Sequence, residues 1–361
     1  MSGICLMYGK PTNSAQIDKV KDRCWSLGIV AGAQPTTSEV LSHDFQVVDR
    51  GMIFENQTYV NEFILLGFSN PQRLQKFLLA LFLLAYILTI SGNVTIVTIV
   101  QLHQQLQTPM YLFLSHLSLI EIGHMTNTIP KMLFDFLKDR KVISKVGCFT
   151  QLYFNLFLGL TENFLLVLMA YDRFLAICNP MNYTTVMNNR VCKSLILGCW
   201  VGGLLAPLPP AIVLARLNFC GPNIINHFFC DLAPVLTLPC GKKSFIEFFF
   251  FVFSSSMVLG CFFLIIVSYV NIIVAVLKMP PSGGRHKAFS TCTAHLSVVL
   301  IYYGSVIYMY VRPSVKDIRD SDKVVSVFYC VVTPFLNPFI YSLRNTKVHE
   351  AFKSLILRRR I

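Results

Sequence analysis

The sequence predicts an all-α membrane protein: a seven-transmembrane helix bundle followed by a short amphipathic C-terminal helix. Two observations predict it. The 361-residue chain is 54% hydrophobic and only 14% charged, against roughly 25% charged in a soluble domain. Its apolar residues also gather in runs of the length a spanning helix needs, about 20 residues. This composition excludes a disordered chain, a fibrous repeat and an ordinary cytosolic enzyme. The net charge of +13 does not point to nucleic acid, because no basic block is interleaved with aromatics on a polar surface. The Lys and Arg residues sit in short gaps between apolar runs, as residues flanking membrane spans do.

Seven spans are expected, at residues 77–100, 110–129, 147–170, 195–215, 248–277, 288–311 and 324–343, and their only Asp, Glu, Lys or Arg residues are Glu121 and Glu162. Helices follow, because an open sheet cannot satisfy its backbone groups in lipid. A barrel would instead alternate in hydrophobicity over strands of about ten residues.

An odd number of spans puts the termini on opposite sides. Lys and Arg divide almost evenly between the two sets of loops, so charge does not orient the chain. Two other features place the N-terminus outside and the C-terminus in the cytoplasm. Asn56-Gln57-Thr58 is a glycosylation acceptor in the N-terminal segment. Of the 12 cysteines, Cys220, Cys230 and Cys240 fall in the loop between the fourth and fifth spans, and Cys148 opens the third. Four cysteines on one face suggest disulfides, hence the oxidising side. Zinc is the rival, but ten-residue gaps are not the usual close ligand pairs.

Residues 1–51 hold no apolar run of signal-peptide length and no helical periodicity, and are expected to be a disordered extension. Met52 stands where a shorter protein could start. Residues 52–76 are expected to form an extracellular segment, 77–343 the seven-transmembrane domain and 344–361 a cytoplasmic tail. In the tail Val348, Ala351, Phe352, Leu355 and Ile356 recur at helical spacing beside Lys347, Lys353 and Arg358-Arg359-Arg360. Such a helix lies on the inner leaflet, with membrane lipids as its partner.

The third span ends Met169-Ala170-Tyr171-Asp172-Arg173-Phe174-Leu175-Ala176-Ile177-Cys178. Other strings follow: Gly92-Asn93 in the first span, Pro109-Met110-Tyr111 opening the second, and Ser268-Tyr269 in the fifth. Lys287-Ala288-Phe289-Ser290-Thr291-Cys292 with His295 opens the sixth, and Pro334-Phe335-Leu336-Asn337-Pro338-Phe339-Ile340-Tyr341 closes the seventh. Together they resemble the signatures of olfactory receptors, a branch of the rhodopsin-like G-protein-coupled receptors, over about residues 52–361. Gln107 and Glu121 depart from the residues usual in that family.

The resemblance implies the following. An odorant-like small molecule binds in the outer half of the bundle, between the third, fifth and sixth spans, against Asn155, Leu156, Gly159, Leu160, Tyr303, Val306, Ile307 and Tyr310. Asn155 stands where amine receptors carry Asp, so a neutral, largely apolar ligand fits better. Asp172, Arg173, His295, Asn337, Pro338 and Tyr341 form the switch toward a heterotrimeric G protein, by resemblance the olfactory stimulatory one, which raises cyclic AMP. For His295 and Asn337-Pro338, a satisfied buried histidine and a plain proline kink are the alternatives. Cys148 pairs with Cys230, and Cys220 with Cys240. Glu121 and Glu162 hold an allosteric sodium ion, or else share a proton; two adjacent carboxylates do not both stay charged without a cation. No other cofactor is implied.

No nucleophile–base constellation and no Gly-rich phosphate loop is present, so the chain is not expected to be an enzyme. A transporter or channel would carry internal repeats, broken helices in matching halves or several pathway charges; the sequence shows no repeat and only two acids in its spans, Glu121 and Glu162. A chemosensor working outside the olfactory epithelium would have the same sequence features. The expected location is the plasma membrane.

Overall fold

The computed structural model describes residues 60–68, 71–219, 223–240, 244–278, 280, 283–312 and 320–343. The extension 1–51, Asn56, Cys220 and the tail 344–361 lie outside the described residues.

Seven helical segments form the bundle. The first is Gln72–Leu102, the second Pro109–Phe136 and the third Lys145–Cys178. The fourth comes in two pieces, Asn189–Leu205 and Leu208–Ala215; the fifth is Ser244–Lys278 and the sixth Gly283–Tyr310. The seventh joins Asp320–Val327 to Thr333–Leu343. The first, third, fourth and fifth are long and apolar enough to cross a membrane by themselves. The second is diluted by Glu121, His124, Lys131 and Asp135, and the apolar part of the sixth, His295–Tyr310, is short.

The first helix packs on the second and seventh, the second on the third, the third on the fourth and fifth, the fifth on the sixth, and the sixth on the seventh. The third is the axis: 56% of its apolar stretch is buried, against 17%, 22% and 28% in the first, fourth and fifth. Those three present Phe77, Leu84, Leu197 and Phe263 outward, an apolar surface that suits lipid and would be a liability in water.

Side-chain caps start two of the helices. Ser144 Oγ accepts the Gly147 N–H at 3.1 Å, and Asn188 Oδ1 the Val191 N–H at 3.0 Å, each satisfying one of the orphan amides of a first turn. Helix contacts are close where glycine allows it. A Cβ on Gly92 would lie 3.2 Å from Pro338 Cβ, and one on Gly203 would lie 2.9 Å from the Thr161 backbone nitrogen.

Three features differ from the sequence expectation. The fourth span is interrupted at Ala206-Pro207, where Pro207, Pro209 and Pro210 crowd together and remove helix donors. The seventh contains a π-helical turn, Phe328–Val332, just before Pro334; such turns take up the register change that a proline or functional site demands. The bundle also carries a small sheet that an all-helical reading leaves out. Strand β1, Glu62–Leu65, lies between β2, Val142–Ser144, and β3, Ile224–Ile225. β1 pairs antiparallel with β2, Phe63 opposite Ile143, and parallel with β3, Ile64 opposite Ile224. Phe63 and Leu65 are buried beneath it with Phe219, Ile225 and Leu236. The N-terminal segment is thereby tied to the loops preceding the third and fifth spans, at one end of the bundle.

Candidate functional site

The loop between the fourth and fifth spans caps that end. A disulfide joins Cys230 to Cys148 on the third span. Beside it, Gln151 Oε1 accepts the Cys230 N–H at 2.9 Å. The next residue, Asp231, is almost completely buried and ties the loop to two more spans. Its Oδ1 accepts the Leu232 N–H at 2.8 Å and the Tyr310 hydroxyl at 2.7 Å; its Oδ2 accepts the Tyr329 hydroxyl at 3.1 Å. Burial pushes the Asp231 carboxyl above its usual range, and these hydrogen bonds oppose the shift. His227 is fully buried in the same loop, 3.2 Å from Ser326 Oγ. Burial, helped by the Lys323 charge, pushes its imidazole down to about 3. Cys240 is disulfide-bonded too, and Cys220, its expected partner, lies outside the described residues.

Beneath this cap the helices leave a space of about 630 Å³, a volume that includes the solvent at its open mouth. Of the residues expected to line it, Asn155, Leu156, Gly159, Leu160, Val306 and Tyr310 do; Tyr303 and Ile307 are not on its wall. The reason is helical phase. Tyr302, Val306 and Tyr310, spaced four apart, share the face toward the cavity. Tyr303 and Ile307 occupy the next row round, and the Tyr303 ring packs on Phe262 of the fifth span, centroids 5.1 Å apart. His124, Asn163, Phe253, Ser254, Met257, Val258 and Tyr329 also line the space. The fifth-span residues carried no sequence signal, because that helix is apolar all round and its phase cannot be read.

The polar wall is ordered by a chain of hydrogen bonds. Gln151 Nε2 donates to the Asn127 carbonyl at 2.9 Å, and Asn127 Nδ2 donates to the Gln151 carbonyl and to Asn155 Oδ1, both at 2.9 Å. Thr128 Oγ1 adds a longer donation to Asn155 Oδ1 at 3.5 Å. The oxygen of the Asn155 amide is therefore engaged, while its Nδ2 is buried without a partner. Asn163 Nδ2 donates to the Gly159 carbonyl at 2.8 Å.

At the other end of the third span, Arg173 is paired with Asp172: Nε donates at 2.9 Å and Nη2 also contacts Oδ2. Tyr183, on the short helix Pro180–Val186, donates to the other oxygen, Oδ1, at 2.8 Å. Burial and the Asp172 charge raise the Tyr183 phenol, so it remains a donor. His295 is buried, its Nδ1 2.5 Å from the Tyr269 hydroxyl.

Pro338 lies inside the helix Thr333–Leu343, and the hydrogen bond it removes is made good from the first helix. Pro338 has no N–H for the Pro334 carbonyl, and Asn93 Nδ2 donates to that carbonyl instead at 3.3 Å. Asn337 turns the other way and donates to Glu121 Oε1 of the second span. Tyr341 lies in the closing helix Thr333–Leu343. Glu162 is buried 3.6 Å from His124 Nε2. Glu121 Oε2, Asn93 Oδ1 and Asn337 Oδ1 are buried acceptors with no hydrogen-bond partner, an oxygen-only set that fits a hard cation.

A capped cavity within a bundle of seven helical segments, with the paired Asp172 and Arg173 at the opposite end of the third, has the architecture of a seven-helix membrane receptor. The chain matches the olfactory receptor family over residues 82–359. It is 48% identical over 303 residues to human olfactory receptor 6N1, covering 84% of this chain and 97% of that protein. It is 49% identical over 295 residues to human olfactory receptor 6F1, covering 82% and 96%. Rat olfactory receptor 287 is 46% identical over 302 residues, covering 84% and 97%. The chain belongs to the olfactory receptor family. It is an odorant G-protein-coupled receptor, a multi-pass protein of the plasma membrane, and not an enzyme.

Proposed function

We propose that a small, neutral, largely apolar odorant binds in the cavity beneath the cap, and that its binding releases Arg173 toward a stimulatory, olfactory-type G protein, raising cyclic AMP. One observation carries this reading. The lining residues come from the second, third, fifth, sixth and seventh spans, so a ligand there touches the helices that must repack for the Asp172–Arg173 end to open. A ligand biases such a two-state bundle by its differential affinity for the two packings. The switch set is Asp172, Arg173, His295, Asn337, Pro338 and Tyr341.

In the same reading the capped end faces outward, where disulfides persist, and the C-terminus is cytoplasmic. Glycosylation at Asn56, the Cys220–Cys240 bridge, a dispensable extension at 1–51 and an inner-leaflet tail at 344–361 belong to it. Glu121, with the amide oxygens of Asn93 and Asn337, would hold a sodium ion, Glu162 adding charge nearby. The ion would supply positive charge that keeps the buried carboxylates ionised.

The test is nucleotide exchange on purified stimulatory and inhibitory G proteins by the reconstituted receptor, with and without an odorant panel. Odorant-dependent exchange on the stimulatory protein, absent in Arg173→Ala at equal receptor, is the expected result. Exchange on the inhibitory protein alone would reassign the coupling.

A further inference from the structure

We infer that the cavity is built for a neutral ligand with an apolar body and one hydrogen-bond-accepting oxygen, such as an aldehyde, ketone or ester, received by the side-chain N–H of Asn155. This rests on the cavity being the ligand site, as proposed above, and adds the chemical class. The Asn155 amide cannot turn freely, because its oxygen already accepts from Asn127 Nδ2 at 2.9 Å and from Thr128 Oγ1 at 3.5 Å. Asn127 is in turn locked to Gln151, which also accepts the Cys230 N–H of the cap. That chain leaves Asn155 Nδ2 as a buried donor with no acceptor on a residue of the cavity wall. A buried donor left unmade is costly, so a ligand oxygen there gains more than a surface contact would.

The rest of the lining narrows the class. Leu156, Leu160, Phe253, Met257, Val258 and Val306 take an apolar body. Among the described residues no Lys, Arg, Asp or Glu lines the space, so a carboxylate or ammonium would enter without a counter-charge from them and lose its hydration. A plain hydrocarbon would fill the volume but leave the Asn155 N–H unsatisfied. Asn163 Oδ1 also lacks a partner, but it accepts rather than donates. It lies two turns along the helix, roughly 12 Å at 1.5 Å per residue, and cannot serve the same oxygen.

The experiment uses full-length receptor in lipid nanodiscs, with ligand-induced thermal shift as the binding readout and cyclic AMP in cells as the signalling readout. The probes share an eight-carbon frame: octanal, 2-octanone, octane and octylamine, the last cationic at neutral pH. The two carbonyl probes should stabilise the wild type at concentrations where octane and octylamine do not. Asn155→Leu should weaken carbonyl binding by roughly ten- to a hundredfold. Asn155→Asp keeps the acceptor for Asn127 and so the local fold; it should lose the carbonyl probes and gain octylamine. Octane binding as well as octanal, no binding by either carbonyl probe, or carbonyl affinity unchanged in both variants would overturn the inference. Carbonyl binding without cyclic AMP would uphold it and count against the coupling. Cyclic AMP evoked equally by octane would do the reverse.

Discussion

The hydroxyl of Tyr310 donates to Asp231 at 2.7 Å, joining the sixth span to the loop that covers the cavity. Tyr329 of the seventh span reaches the other oxygen of the same carboxylate at 3.1 Å. The loop is thus held covalently by the third span and by hydrogen bonds to the two spans that flank the cavity's mouth. Tyr310→Phe removes one of these bonds, and bonds to a charged acceptor contribute about 1.5–3 kcal/mol. Odorant potency should fall roughly tenfold or more while surface delivery is kept. Cys148→Ala opens a loop of 82 residues, costs about 4 kcal/mol or more, and should abolish surface delivery itself. Dose–response curves against surface staining separate the two.

Tyr183 and Arg173 share Asp172 from opposite oxygens. Removing the tyrosine hydroxyl leaves Asp172 a poorer anchor and favours release of the arginine. Tyr183→Phe should raise ligand-free cyclic AMP severalfold at equal surface level, whereas Arg173→Ala should signal neither with nor without odorant. A basal level in Tyr183→Phe equal to wild type would remove Tyr183 from the switch.

Gly203 faces Thr161 so closely that a methyl group meets both its hydroxyl and its backbone nitrogen, whereas a Cβ on Gly198 in the same helix meets nothing within 4 Å. Backbone does not yield as a flexible side chain does. Gly203→Ala should therefore cost about 1–3 kcal/mol by overpacking, and Gly198→Ala should be neutral. Thermal denaturation of the two purified variants makes the comparison, and equal melting temperatures would contradict it.

His227 gives the cap a pH dependence. Its imidazole is held at about 3, against 6.5 in an unfolded chain. Between those values the unfolded ring binds a proton that the folded ring refuses. Stability is therefore complete above pH 6.5 and declines as pH falls, by up to about 1.4 kcal/mol per unit. Asp231 acts with the opposite sign. Its carboxyl is raised by burial, so its contribution is present at low pH and declines as pH rises through that raised value. The melting temperature in nanodiscs should drop from pH 7.5 to 5.5, and His227→Gln should flatten the drop. An undiminished drop in His227→Gln would assign the dependence elsewhere.

The spans were legible because lipid demands long apolar helices, and polar gaps mark their ends. Glu121 and Glu162 stood out because charge is rare in such runs. The local events inside the helices were less legible. Pro207 and its neighbours break the fourth span, but proline in a membrane helix can equally well bend it. The π turn at Phe328–Val332 depends on packing that no local pattern encodes. Strand β1 is four residues long and acquires its structure only from β2 and β3, far away in sequence. At the cavity, Asn155 was reached only through the family resemblance. Choosing Tyr302 over Tyr303 requires the rotation of the sixth span, which two adjacent tyrosines do not reveal. Asn93 was visible as part of Gly92-Asn93, but its service to Pro334 is a contact across 241 positions.

The central claim is that the space beneath the cap is where odorant acts. Gly159 lies on its wall, and a Cβ there meets only the Tyr302 hydroxyl, at 4.0 Å, so Gly159→Leu places added volume at the cavity wall. The measurement is odorant-evoked cyclic AMP in cells expressing wild type or Gly159→Leu at matched surface level. The account predicts a response in wild type that is lost, or shifted to at least tenfold higher concentration, in the variant, with basal cyclic AMP unchanged. An identical dose–response curve in the two receptors would contradict it.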